Sequence, residues 1–182
     1  RYGDIAILMR GMTNVKAYEE ALSKESVPYH VVSGSGFYER SEVMWLSGIL
    51  TSLADESDDT AVVGALRSPI FTIDDETLTR VSLEFGRGEG FWDALLGFRC
   101  AYEEGNLRWP DGELATRLYR AVDTMLRLRY LTTRVTPLAL TEAVVKITGF
   151  ERKLLAMPEG VDMALNLHKL LGIMAERESK LS

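Results

Sequence analysis

One arginine follows a segment that is typical of a buried strand. Asp4 to Met9 reads Asp-Ile-Ala-Ile-Leu-Met, and its five consecutive apolar residues predict a strand buried on both faces, as in a parallel sheet. Arg10 comes next, at the sheet edge where open α/β proteins bind ligands. Its planar guanidinium is suited to a phosphate group. The alternative is a solvated arginine that merely ends the strand.

A second set of cations lies between residues 117 and 134. It consists of Arg117, Arg120, Arg127, Arg129 and Arg134. Arg120, Arg127 and Arg134 are seven residues apart, so on one helix they would share a face and contact duplex phosphates. A solvated helix face explains the same spacing. The net charge of -6 argues against a nucleic-acid surface over the whole chain, but not against a local basic strip.

The sequence gives little support for a disulfide, a metal site or a phosphate-binding loop. Cys100 is the only cysteine, which excludes an intramolecular disulfide and a cysteine-rich metal site and fits a reducing, cytoplasmic location. His30 and His168 have no partners at metal-ligand spacing. The glycine-rich segment from Gly86 to Gly90 lacks the Gly-Lys-Ser/Thr of a phosphate loop. The sequence predicts neither a metal site nor a nucleotide-binding loop in this chain.

The elements that position these residues form two parts. Thr13 or Asn14 can cap a helix, and Tyr29 to Val32 predicts a second strand, which completes a βαβ unit. After Tyr38 the apolar period becomes helical and stays so. Helices are predicted over residues 43–53, 60–67, from 74 onward, 91–104, 111–131, 136–149 and from 160 onward. The predicted fold class is mainly α, a helical array preceded by a small βαβ piece. No run of 18 apolar residues predicts a membrane span.

Four short stretches occur in the order and spacing of one protein family. Gly-Asp-Ile-Ala-Ile-Leu-Met-Arg, residues 3–10, resembles motif IV of the superfamily 1 helicases related to UvrD, Rep and PcrA. The helical Tyr-Glu-Glu-Ala-Leu at 18–22, Val-Pro-Tyr at 27–29 and the segment at 33–43 match the stretches that follow it. Leu-Arg-Ser-Pro-Ile-Phe at 66–71, with the acidic stretch after it, resembles the AddA and RecB helicase–nuclease branch.

The resemblance implies a domain organisation. Residues 1–40 would belong to the second RecA-like domain of the motor, and residues 41–182 to the mostly helical 2B-like subdomain inserted into it. The chain does not begin with Met and stops inside a helical pattern, so an excised fragment, truncated in that subdomain, is expected.

The resemblance also implies residue roles. Arg10 would reach the γ-phosphate of ATP, as an arginine finger does. Met9 takes the place of a tyrosine that stacks on adenine, and a methionine can pack against a ring. Glu39 and Arg40 would lie near bound DNA, although an ion pair at a helix start is the alternative. The spacing of the arginines, apart from the resemblance, makes Arg120 and Arg127 further candidates for DNA contact.

The function implied is that of an ATP-dependent DNA helicase or translocase, a helicase–nuclease subunit with exonuclease activity in double-strand break repair and recombination. ATP and Mg would bind the longer protein and not this chain alone, which is expected to be inactive. The expected partners are DNA and a nuclease partner subunit, with no membrane. One alternative is a helical protein-interaction or regulatory module without motor activity. Another is a catalytically inactive helicase-like subunit.

Overall fold

The computed structural model describes residues 2–10, 14–29, 36–86, 88, 90–109 and 111–180. This part of the chain is mainly helical and contains no strand. A 3-10 turn at Tyr2–Asp4 precedes the helices, which are α1 Val15–Lys24, α2 Ser41–Ala54, α3 Asp59–Arg67, α4 Asp75–Phe85, α5 Phe91–Glu103, α6 Gly112–Leu131, α7 Pro137–Thr148, α8 Phe150–Leu155 and α9 Gly160–Ser179. The predicted helical array is therefore confirmed.

The chain divides into two compact units. The first is Arg1–Arg40 and the second is Ser41–Ser182. Their assignment to a RecA-like domain and to an inserted 2B-like subdomain stays a prediction.

In the first unit, the strand expected at Asp4 to Met9 is not formed. Residues 5–9 have no regular structure, and Ile5 and Leu8 are 70% and 95% exposed. A strand needs a neighbour for its backbone hydrogen bonds, and no described residue supplies one here. Of the second predicted strand only Tyr29 lies within the described residues, and it is not in a strand. Helix α1 does form and begins after Asn14, but the βαβ piece is not formed in the described part.

In the second unit, side-chain caps fix where helices begin. Asp58, Asp74, Asp111 and Thr136 each accept a hydrogen bond from a backbone N–H in the first turn of the helix that follows. Such a bond satisfies a donor that has no partner inside the helix. The helix starts predicted at Asp74, Asp111 and Thr136 are confirmed. Gly149 ends α7 with a φ of 65°, a conformation that glycine adopts without strain.

One hydrophobic core joins the helices of the second unit. Helix α2 packs on α3 and α9, α4 packs on α5, and α6 contacts α2, α5 and α7. The largest fully buried side chains include Leu46, Phe98, Met125 and Phe150. Among the described helices, none combines the length and the apolar character needed to cross a membrane.

Candidate functional site

Arg10 and Met9 lie at the end of the irregular segment of the first unit. Arg10 is exposed, and Met9 is 36% exposed. Within the described part of the chain, Arg10 has no ion-pair partner. Its role at the γ-phosphate stays a prediction.

Arg40 makes an ion pair within the first unit. Its Nη2 lies 3.3 Å from Oε1 of Glu19 on α1. Glu39 is exposed and stands in the same turn, where its backbone N–H donates to the carbonyl of Gly36. Because the arginine is half exposed, the pair contributes little to stability. Contact of Glu39 and Arg40 with DNA stays a prediction.

The predicted stripe of arginines on α6 is shorter than expected. Arg134 lies beyond the end of the helix at Leu131, where it donates to the carbonyl of Tyr130 and stacks 3.6 Å from the centre of that ring. Arg127 is on the helix and pairs with Asp123 at 2.8 Å. Arg120 is exposed, with no ion-pair partner in the described part of the chain. The α6 face therefore presents two of the three arginines, and one of the two is already neutralised.

Arg120 lines a cleft of about 510 Å³ in the second unit. Helix α6 contributes Arg117 and Arg120 to its wall, and α8 contributes Lys153. Glu113 is the one carboxylate among the residues that line the cleft with these three cations. Ile70 is one of the apolar lining residues. The geometry creates a local positive surface on an acidic chain, suited to an anion.

Lys153 is held at the cleft by a long-range contact. Its Nζ donates to the carbonyl of Ile70, which is 83 positions away in the sequence. Burial lowers the pKa of Lys153 below its ordinary value, and the neighbouring charge of Arg152 lowers it further. Thr72, which also lines the cleft, has a φ of 55°, unusual for a β-branched residue. The sequence placed Arg117 in the basic region but did not single it out as a contact residue. It gave no sign of Lys153, because no local pattern brings α8 beside α6.

Another arginine of the basic region has a structural role. Arg129 pairs with Glu56 at 3.0 Å and donates to the carbonyl of Ser52 at 3.3 Å. Its guanidinium carbon also lies 4.6 Å from the centre of the Trp92 ring. The side chain is 18% exposed. Because it contacts Ser52 on α2 and Trp92 on α5, this arginine connects α6 to both helices.

The described residues contain no group of three or more His, Cys, Asp or Glu side chains that could hold a metal ion.

Comparisons with known proteins agree with the motifs. Residues 1–88 match the family described as "UvrD-like helicase C-terminal domain". The chain is similar to an ATP-dependent helicase/nuclease subunit from Listeria innocua, with 27% identity over 93% of this chain and 13% of that protein. The proteins of the same name from Anoxybacillus flavithermus and Geobacillus kaustophilus are 31% and 29% identical, over 93% and 98% of this chain and 13% and 14% of theirs. The resemblance predicted from the sequence is confirmed, and the chain spans about 13% of the relatives' length.

Proposed function

Since residues 1–88 match the UvrD-like helicase C-terminal domain, we propose that this chain is part of an ATP-dependent DNA helicase of the helicase–nuclease type. The observation that carries the proposal is the similarity to helicase/nuclease subunits over 93% of the chain. The longer protein would translocate on DNA in double-strand break repair and recombination, in company with a nuclease partner subunit.

Arg10 is the residue of this chain that would serve the ATPase reaction. It is exposed at the end of the stretch that resembles motif IV. Its fixed positive charge and planar fork suit it to stabilise the negative charge on the γ-phosphate. The described residues offer no carboxylate cluster for Mg. We therefore assign the binding of ATP and Mg to the longer protein, with Met9 beside the adenine.

Exposed apolar side chains favour a second role as an interaction module. Leu155 on α8 is 52% exposed, and Val161 and Leu165 on α9 are 66% and 57% exposed. Val161 and Leu165 are four residues apart and so lie on one face of α9. A partner subunit or another part of the longer protein would cover such a face. This role is compatible with the motor and would be the main one if the motor were inactive.

The test compares the longer protein with the 182-residue chain. We expect DNA-stimulated ATP hydrolysis and strand separation by the longer protein, and neither by the chain. One arginine without a phosphate loop or Mg ligands lacks the groups that position and polarise the phosphates. A longer protein that neither hydrolyses ATP nor moves on DNA would leave the interaction role alone. Hydrolysis by the purified chain would show that the ATP site has been misplaced.

A further inference from the structure

The cleft beside α6 is lined by more positive than negative side chains. Arg117, Arg120 and Lys153 line it together with one carboxylate, that of Glu113, so three cations and one anion give the lining a net charge of +2. The chain as a whole carries -6. Concentrating like charges in a concavity costs stability unless an anion is bound there.

Each of the three cations retains donors for such an anion. Arg120 has no ion-pair partner in the described part of the chain. Arg117 bonds to Glu113 at a long 3.4 Å, and the two side chains are 47% and 86% exposed, so this pair is weak and readily exchanged. Lys153 uses one of its three N–H donors on the carbonyl of Ile70.

The shape of the cleft suits a chain of phosphates better than a single ion. Its α6 wall runs from Glu113 to Thr124, which is roughly 16 Å along a helix. The two arginines lie one turn apart on that wall, and Lys153 faces them from α8.

We propose that this cleft binds the phosphate backbone of DNA, with Arg120 and Arg117 as the contact residues and Lys153 completing the site. The choice of DNA rests on the proposed function. The cleft replaces the seven-residue stripe as the contact surface and leaves Arg127, already paired with Asp123, outside it. Contacts to phosphate fix the position of the protein on DNA without reading its sequence.

The experiment measures binding of the 182-residue chain to a short fluorescein-labelled duplex by anisotropy over a series of salt concentrations. We expect weak, salt-sensitive binding. Arg120→Gln and Arg117→Gln should each lower affinity roughly 3- to 10-fold and reduce the slope of log K against log salt by about 1. Arg67→Gln is the matched control, because it removes the same charge from an exposed arginine that pairs with Asp75 and does not line the cleft.

Three results would overturn the proposal. One is an equal loss of affinity in Arg67→Gln or Arg127→Gln, which would show a general effect of charge. Another is unchanged duplex binding in both Arg120→Gln and Arg117→Gln with unaltered thermal melting. The third is no duplex binding while inorganic phosphate raises the melting temperature of the wild type but not of Arg120→Gln, which would make the cleft a site for a free anion. No readout involves ATP, so failure here is distinguishable from failure of the proposed motor function.

Discussion

At the residue scale, the buried carboxylate of Glu42 accepts a hydrogen bond from the last helix. Glu42 is 2% exposed, and its Oε1 accepts a hydrogen bond of 2.7 Å from the side-chain amide of Asn166 on α9. Glu42 lies in the first turn of α2, where the helix dipole also favours a negative charge. The two residues are 124 positions apart, so the contact ties the start of the second unit to its end.

Asn166→Leu should therefore destabilise the chain by about 1 to 3 kcal/mol, because it leaves a buried carboxylate without its donor. The measurement is the free energy of unfolding in urea. His168→Ala on the same helix is the control. It removes a 2.7 Å hydrogen bond between the His168 ring Nε2 and the carboxyl group of Glu151, in which both side chains are exposed, so its cost should stay below about 1 kcal/mol. An equal loss of unfolding free energy in the two variants would show that the buried Asn166–Glu42 hydrogen bond stabilises the chain no more than the exposed His168–Glu151 contact does.

At the element scale, Asp74 determines where α4 begins. Its Oδ1 accepts the backbone N–H of Thr77 at 2.8 Å and the hydroxyl of the same residue at 3.0 Å. The bond from the Thr77 N–H is the main reason that the pKa of Asp74 lies below its ordinary value. The side chain of Asp75, the next residue, makes an exposed ion pair with Arg67.

Asp74→Ala should cost about 1 kcal/mol of stability through loss of the cap, and Asp75→Ala clearly less. The folded state lowers the pKa of Asp74, so its contribution is fully present above the unfolded value of about 3.9 and is lost as the pH falls through the folded value. The difference in unfolding free energy between the wild type and each variant is measured by urea unfolding at neutral and acidic pH. A gap between wild type and Asp74→Ala that persists unchanged at the most acidic pH would contradict the assignment.

The helices of the second unit were predictable because their signals are local. Asp74, Asp111, Thr136 and Gly149 each mark a helix end by chemistry that involves only the next few residues. Helix α8 was not predicted, since Phe150–Leu155 is too short to display a helical period. The strand expected before Arg10 needs hydrogen-bond partners in other strands, and an apolar run cannot specify them.

Among the candidate site residues, too, only those with a local sequence signal could be predicted. The spacing of arginines along the sequence, which is a local pattern, predicts Arg120 as a DNA contact, and this stays a prediction. Its companion Lys153 is brought to the cleft by a contact with Ile70 across 83 positions, which leaves no trace in the neighbouring sequence. The seven-residue spacing alone places Arg134 on the same face, although the helix predicted over residues 111–131 ends before it, as α6 does at Leu131.

At the scale of the whole molecule, the proposed ATP and DNA contacts would lie in different units. The first unit carries Arg10, the residue proposed to act on ATP, and the second carries the cleft proposed to bind DNA. The acidic net charge confines any DNA contact to a small part of the surface. The chain spans 13% of its relatives' length, and we propose that the longer protein couples the two proposed activities.

The most direct test of the motor assignment is steady-state ATPase of the longer protein carrying Arg10→Ala, measured with DNA beside nucleotide affinity and thermal melting. Turnover should fall roughly 10³-fold while affinity for ATP changes much less, because the contact strengthens as charge develops during phosphoryl transfer. Arg10→Lys should restore little, since an ammonium cannot make the two-pronged contact, and the surface variant Arg67→Ala should turn over normally. Near-normal turnover in a folded Arg10→Ala protein would contradict the assignment of Arg10 to the ATP site.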